Sequence, residues 1–297
     1  MCVAGKHGLV IVSNCTKMQL CMYSLADGSL VRSIGGAGSG KGQFDFFHGG
    51  LCVSPDGDSV LVAESRTNRV QQVLIVDGSW VRFVGEGVAC NPHYVDCNAD
   101  FIAVSESWFD RISVFLWAEG TLWARFGSEG SGPGELYLPG GIRLLIDGSG
   151  VVVADAGNDR LCVFGLSGEF VAIMGSEEQV FGHPRDVLEC ASDGGFVVAN
   201  VDTNELVKFS KDGSKFEILG KEGQADGEFC GPSALAALPD GGLVVRESNG
   251  DRFQVFHGLE LRKAWITMCV TLATRGRGGV TTKRARVRGS YGITPGL

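Results

Sequence analysis

Proline is scarce in this 297-residue chain, at 8 residues against 45 glycines, and the glycines follow no collagen-like period. Glycine used so often without such a period serves tight turns. No apolar run reaches the roughly 18 to 20 residues that a membrane-crossing helix needs. The start, MCVAGKHGLVIVSN, lacks the charged head, long apolar centre and small-residue cleavage site of a secretory leader. We therefore expect a cytoplasmic chain with no membrane contact. The ten cysteines include no CxxC pair, and several lie inside apolar runs such as LCV and RLCVF. They read as reduced core thiols rather than zinc ligands or disulfides. GxSxG, P-loop and HExxH elements are missing too, so no motif of nucleophilic, phosphate or metal-assisted chemistry is present and no cofactor is expected.

What is there supports a packed core, with 44% apolar and 20% charged residues. The formal charge of −8 is uneven. Six bases (Arg275, Arg277, Lys283, Arg284, Arg286 and Arg288) and no acid fall in residues 267–297, which leaves −14 on residues 1–266. A body this acidic repels polyphosphate, so nucleic acid is not an expected partner of it.

The chain also repeats itself. VVVADAGNDRLCVFGLSGEFVAIMG, residues 151–175, is one copy of a unit in which a strand ends in an acid, a short loop follows, and two further strands close on glycine. The corresponding strand ends read SNCTKMQ, AESRTNR, SESWFDR, ADAGNDR, ANVDTNE and RESNGDR. Four of them carry Arg five residues after the acid: Glu64/Arg69, Glu106/Arg111, Asp155/Arg160 and Glu247/Arg252. The closing glycines are Gly35, Gly85, Gly127, Gly175 and Gly220, spaced by 50, 42, 48 and 45 residues. Segments between turns are short, β-branched and aromatic with no sustained helical period, which excludes a helical solenoid. One acid–arginine signature per four strands fits radially repeated blades, and the predicted fold is an all-β, six-bladed β-propeller.

GSGPGELYLPGGIRLLIDGSGVVVADAGNDRLCVF, residues 130–164, resembles an NHL repeat: a glycine-rich lead-in, Pro, a D-G turn, a V-A-D strand end, then Arg and an apolar strand. The resemblance is strongest at 38–85 and 128–175, fair at 221–265, and weakest at 88–127 and 176–220. It implies four-stranded blades over residues 1–266 and leaves 267–297 as a basic tail. MCVAGKHGLVIVSN aligns on LCVSPDGDSVLVAE, so the first blade is expected to be incomplete at its N-terminus. Either AWITMCVTL, residues 264–272, pairs beside Met1 to Ala4 and latches the ring, or closure is imperfect.

In blades of this kind the loops after the second and fourth strands share one face. The NHL resemblance implies a non-enzymatic protein-interaction scaffold there, of the sort used as the recognition part of adaptor or ubiquitin-ligase assemblies. Trp108 and Phe109 stand where sister loops have Thr67, Gly157 and Thr203, and are read either as a partner's anchor or as a plug between blades. Arg66 and Arg185 are further partner-binding candidates, while Asp186 beside Arg185 suggests an ion pair. The eight acid and arginine residues are read as structural clamps of their own loops, because a catalytic group should be singular rather than periodic. Units three and five, with Phe109/Arg111 and Thr203/Glu205 in place of the usual residues, are expected to lack that clamp. Two alternatives follow from the resemblance. One is a zinc- or calcium-dependent enzyme similar to the lyases of peptidyl-hydroxyglycine, with His48, His93 and His183 as ligands; these stand at different registers, which opposes convergence on one ion. The other is an RNA-binding propeller, against which the acidic loops argue.

Overall fold

The computed structural model describes residues 1–45, 50–175, 180–249, 252–257 and, for the backbone, 265–271. Six sheets, each of four consecutive antiparallel strands, follow one another along the chain. The first holds β1 (Cys2–Ala4), β2 (Leu9–Asn14), β3 (Gln19–Ser24) and β4 (Leu30–Ile34). The second holds β5 (Leu51–Val53), β6 (Ser59–Glu64), β7 (Arg69–Leu74) and β8 (Trp80–Val84). In the third are β9 (Tyr94–Cys97), β10 (Phe101–Glu106), β11 (Arg111–Leu116) and β12 (Leu122–Phe126), and in the fourth β13 (Pro139–Leu144), β14 (Gly150–Asp155), β15 (Arg160–Gly165) and β16 (Phe170–Met174). The fifth comprises β17 (Pro184–Glu189), β18 (Phe196–Asn200), β19 (Glu205–Phe209) and β20 (Phe216–Leu219). The sixth comprises β21 (Pro232–Ala237), β22 (Leu243–Glu247), β23 (Arg252–His257) and β24 (Trp265–Thr271). First strands of neighbouring sheets touch in sequence, and β21 returns to β1. The fold is a six-bladed β-propeller with the first strands around its axis.

The core is divided among the seams. Six clusters of buried apolar side chains each join two adjacent blades. In β6, Val60 and Val62 face the first blade while Leu61 and Ala63 face the third. A strand buried on both faces reads as a continuous apolar run rather than an alternating one, which is how these segments look in the sequence. Each of the five closing glycines has a left-handed φ, from 67° at Gly85 to 90° at Gly127. A methyl group at Gly35, Gly175 or Gly220 would also overlap the ring of Phe44, Phe181 or Phe229, the side chain that fills the wedge to the next blade.

Two expectations change. The first blade has all four strands, its innermost being the three-residue β1 with Cys2 opposite Ile11. AWITMCVTL does not latch onto Met1 to Ala4: β24 pairs with β23, Arg252 opposite Thr271 and His257 opposite Trp265. The reason is local, since without it β23 would be left as an open edge. The ring closes instead by packing Met1, Val10 and Val12 against Ala234, Val244, Phe253 and Val255. β24 runs past the expected boundary at residue 266, and the rest of the basic tail, residues 272–297, lies outside the described residues.

Candidate functional site

All four acid–arginine pairs meet at the face formed by the loops after the second and fourth strands. Arg111 Nε donates to Glu106 Oε2 at 2.6 Å, Arg160 Nε to Asp155 Oδ2 at 2.7 Å, and Arg252 Nε to Glu247 Oε1 at 2.7 Å. Arg69 Nε is 3.4 Å from Glu64 Oε1. These carboxylates are fully buried. Burial raises the Glu64 and Asp155 carboxyls above their ordinary range, opposed chiefly by Arg69 at the first and by the Tyr137 amide at the second. The arginines also reach the glycine-rich lead-ins: Arg160 donates to the carbonyls of Ser131, Gly132 and Glu135, and Arg252 to those of Gln224, Ala225 and Glu228. A clamp was expected to be missing from blades three and five. Blade three keeps its pair, because Glu106 needs a cation and also receives Arg125 Nη2 at 3.4 Å. Blade five has Asn200 and Glu205, and Asn200 instead accepts from the Gly182 amide and donates to the Val180 carbonyl.

A second periodic bond was not foreseen. The residue just before the arginine position takes a left-handed φ at Asn68, Asp110, Asp159 and Asn204. Its side-chain Oδ1 accepts, at 2.7 Å each time, the backbone N–H of Asn91, Leu138, His183 and Gly231 in the next blade. Asn and Asp tolerate that backbone and offer the acceptor, so N or D before R in the repeat was the signal.

Trp108 and Phe109 lie in the single-turn 3-10 helix Ser107–Phe109 between β10 and β11. They are 74% and 50% exposed, so neither is a plug between blades. The Arg111 guanidinium sits 4.9 Å from the Phe109 ring centre. Because Leu138 is bonded to Asp110, the fourth blade's lead-in brings exposed Tyr137 and Leu138 to the same junction. Arg66, on the second blade's loop, projects into solvent 3.6 Å from Asp45.

Along the axis the blades differ from one another. Asp186 does not pair with Arg185, since adjacent strand residues point to opposite sides. It accepts Arg143 Nη2 at 3.1 Å and the Leu235 amide at 2.9 Å. Burial acts to lower the Arg143 guanidinium, but Asp186 and Asp96 outweigh it and hold it above its ordinary value. Glycine lets these strands crowd the axis: a Cβ on Gly141 would lie 2.6 Å from Asp186 Cα. Arg185, Tyr94, Ser233 and Arg246 line a cavity of about 260 Å³ at the mouth shared with the partner-binding candidates. The opposite end opens into a cavity of about 460 Å³ with Cys2, Cys52, Cys190 and many aliphatic side chains. His183 borders the mouth and His48 lies outside the described residues. Among the described residues no three His, Cys, Asp or Glu side chains are grouped to hold a metal ion, and no helix is long and apolar enough to cross a membrane.

Solved structures share this architecture. Over 86% of this chain and 91% of the other, it superposes on a chain of a nidogen/laminin complex with TM-score 0.68 and 13% identity. The WD40 β-propeller domain of Doa1 gives 0.61 at 12% identity, over 91% and 81% of the two chains. Virginiamycin B lyase from Staphylococcus aureus gives 0.54 at 13% identity, over 73% and 68%. Identities this low show the fold alone, and the three differ in kind, one of them a lyase. No protein-family model matches the chain, and a search of curated proteins finds no match either.

Proposed function

We propose that the propeller is a protein-binding module, with no chemistry of its own, whose partner docks at the junction of blades three and four. The observation that carries this reading is the pair Trp108 and Phe109, exposed on a loop whose sisters use small or polar residues, with Tyr137 and Leu138 beside it. Rigid aromatics presented this way are the side chains most enriched at binding hot spots. The acidic body favours a partner with Lys or Arg around an apolar centre. Arg66 contributes at the rim. The NHL resemblance adds the analogy with adaptor and ubiquitin-ligase recognition propellers.

Capture of interacting proteins by the wild-type chain, compared with Trp108→Ala and Phe109→Ala, tests it. Loss of a hot-spot aromatic weakens binding by about 2 kcal/mol, roughly thirtyfold. An unchanged captured set with both variants would remove the reading.

A further inference from the structure

The mouth of the axial channel holds two guanidinium groups that, among the described residues, have no carboxylate paired with them. Arg185, from the innermost strand of blade five, and Arg246, from the second strand of blade six, line the cavity of about 260 Å³ together with Tyr94, His183, Ser233 and Ser248. Among the described residues neither forms an ion pair, whereas Arg143 below them pairs with Asp186. Arg246 Nε is buried without a hydrogen-bond partner, and its Nη1 meets only Ser233 Oγ, at 3.4 Å. Asp186 is not available to either. Its oxygens already accept from Arg143, the Leu235 amide and the Val187 amide.

An enclosed guanidinium donor left unsatisfied is costly, and the same donor is among the strongest partners an oxyanion can find. The Arg185 guanidinium faces the same hollow beside the Tyr94 hydroxyl, and the other polar side chains there are His183, Ser233 and Ser248, none of them a carboxylate. This is a positive hole in a body that carries −14. The surrounding charge turns away polyanions while the hole itself attracts a single anionic group. We propose that the mouth binds an oxyanion, a phosphate or carboxylate group, between Arg185 and Arg246. The site is built from the strands around the axis and does not rest on the partner-binding reading.

That chemistry has two sources: a free small anion, or the same group displayed on a peptide segment. Calorimetric titration of the full chain with inorganic phosphate, with succinate, and with a short peptide bearing one phosphoserine separates them, at ionic strength matched with chloride. The expected result is saturable binding in at least one arm with a dissociation constant of about 1 mM or tighter. Arg185→Gln and Arg246→Gln each weaken it at least roughly tenfold, the loss of a charge-assisted hydrogen bond. A peptide bound more tightly than free phosphate identifies a displayed group, and equal or weaker binding identifies a free anion. Absence of saturation in all three arms overturns the proposal, as does affinity unchanged in both variants. Circular dichroism checks each fold, and if Arg246→Gln does not fold, Arg185→Gln and its restoration by Arg185→Lys decide the matter.

Discussion

Blades four and five share a seam, yet their upper edges are tied down differently. In blade four Arg160 joins a buried Asp155 to three carbonyls of an eleven-residue lead-in, 128–138, within which Glu129 bridges to Leu136. Blade five follows the shorter lead-in 176–183 and has Glu205 where the arginine would stand. The same division runs round the ring: the bridges Ala37 to Phe44, Glu129 to Leu136 and Glu222 to Phe229 precede blades two, four and six. In those blades the arginine reaches lead-in carbonyls, while in blade three Arg111 has only Glu106 and the Phe109 ring. The arginine's reach to lead-in carbonyls therefore goes with the long lead-ins, while the acid–arginine bond itself also occurs in blade three. The bond to the next blade from Asp159 or Asn204 is indifferent to lead-in length and occurs in both.

Four measurements press on that contrast. Arg160→Ala leaves Asp155 buried and unpaired and should cost about 3–5 kcal/mol in denaturant unfolding. Arg111→Ala should cost about 1–2 kcal/mol, because Arg125 still reaches Glu106. Equal losses would end the explanation by lead-in length. Next in size, Asp159→Ala and Asn204→Ala should each lose about 1–3 kcal/mol, alike in the two blades, for a broken bond at a left-handed residue. A large inequality would mean that blade five is held by something other than this latch.

The third concerns the axis, which the blades do not share equally. Enclosure raises the Asp96 carboxyl above its ordinary 3.8, with Arg143 and the Leu144 amide acting in the opposite direction. Since the native state holds this proton more tightly than the unfolded chain, stability from the group is fully present below 3.8 and is lost as pH rises through the raised value. Asp96→Asn should flatten that part of the melting-temperature profile, and an unaltered slope would assign it to Glu64, Asp155 or Glu189, which are raised in the same direction. The smallest effect belongs to Trp108→Ala, within about 0.5 kcal/mol of wild type in unfolding, as befits an exposed loop side chain. A loss of several kcal/mol would return Trp108 to the core and leave Phe109 alone as an anchor.

Blade number could be read from the sequence because its marks recur: five closing glycines and four acid–arginine spacings give their own alignment. Features that occur once were harder to see. Arg143 and Asp186 stand 43 residues apart in different blades, and no local pattern links them. Arg246 did leave a mark. Immediately before the acid or amide that ends the second strand, the units have Ser13, Ala63, Ser105, Ala154 and Ala199, and only the sixth has arginine. A long side chain at a position otherwise kept small must reach past the innermost strand, and Ser233 and Ala234 on β21 leave it room. Tyr137 and Leu138 were passed over because in a linear reading they belong to a lead-in rather than to the loop they join.

Among the described residues no strand hydrogen bond crosses from one blade to the next, since every sheet is made of consecutive strands. The seam between blades six and one resembles the other five in being packed by apolar side chains without a shared ladder, and a cut moved to any other seam by circular permutation leaves every strand ladder as it is. Topologically the molecule is an arc whose two faces happen to meet. Conditions that weaken apolar packing more than hydrogen bonding, cooling first among them, should let it part at a seam while each blade stays folded.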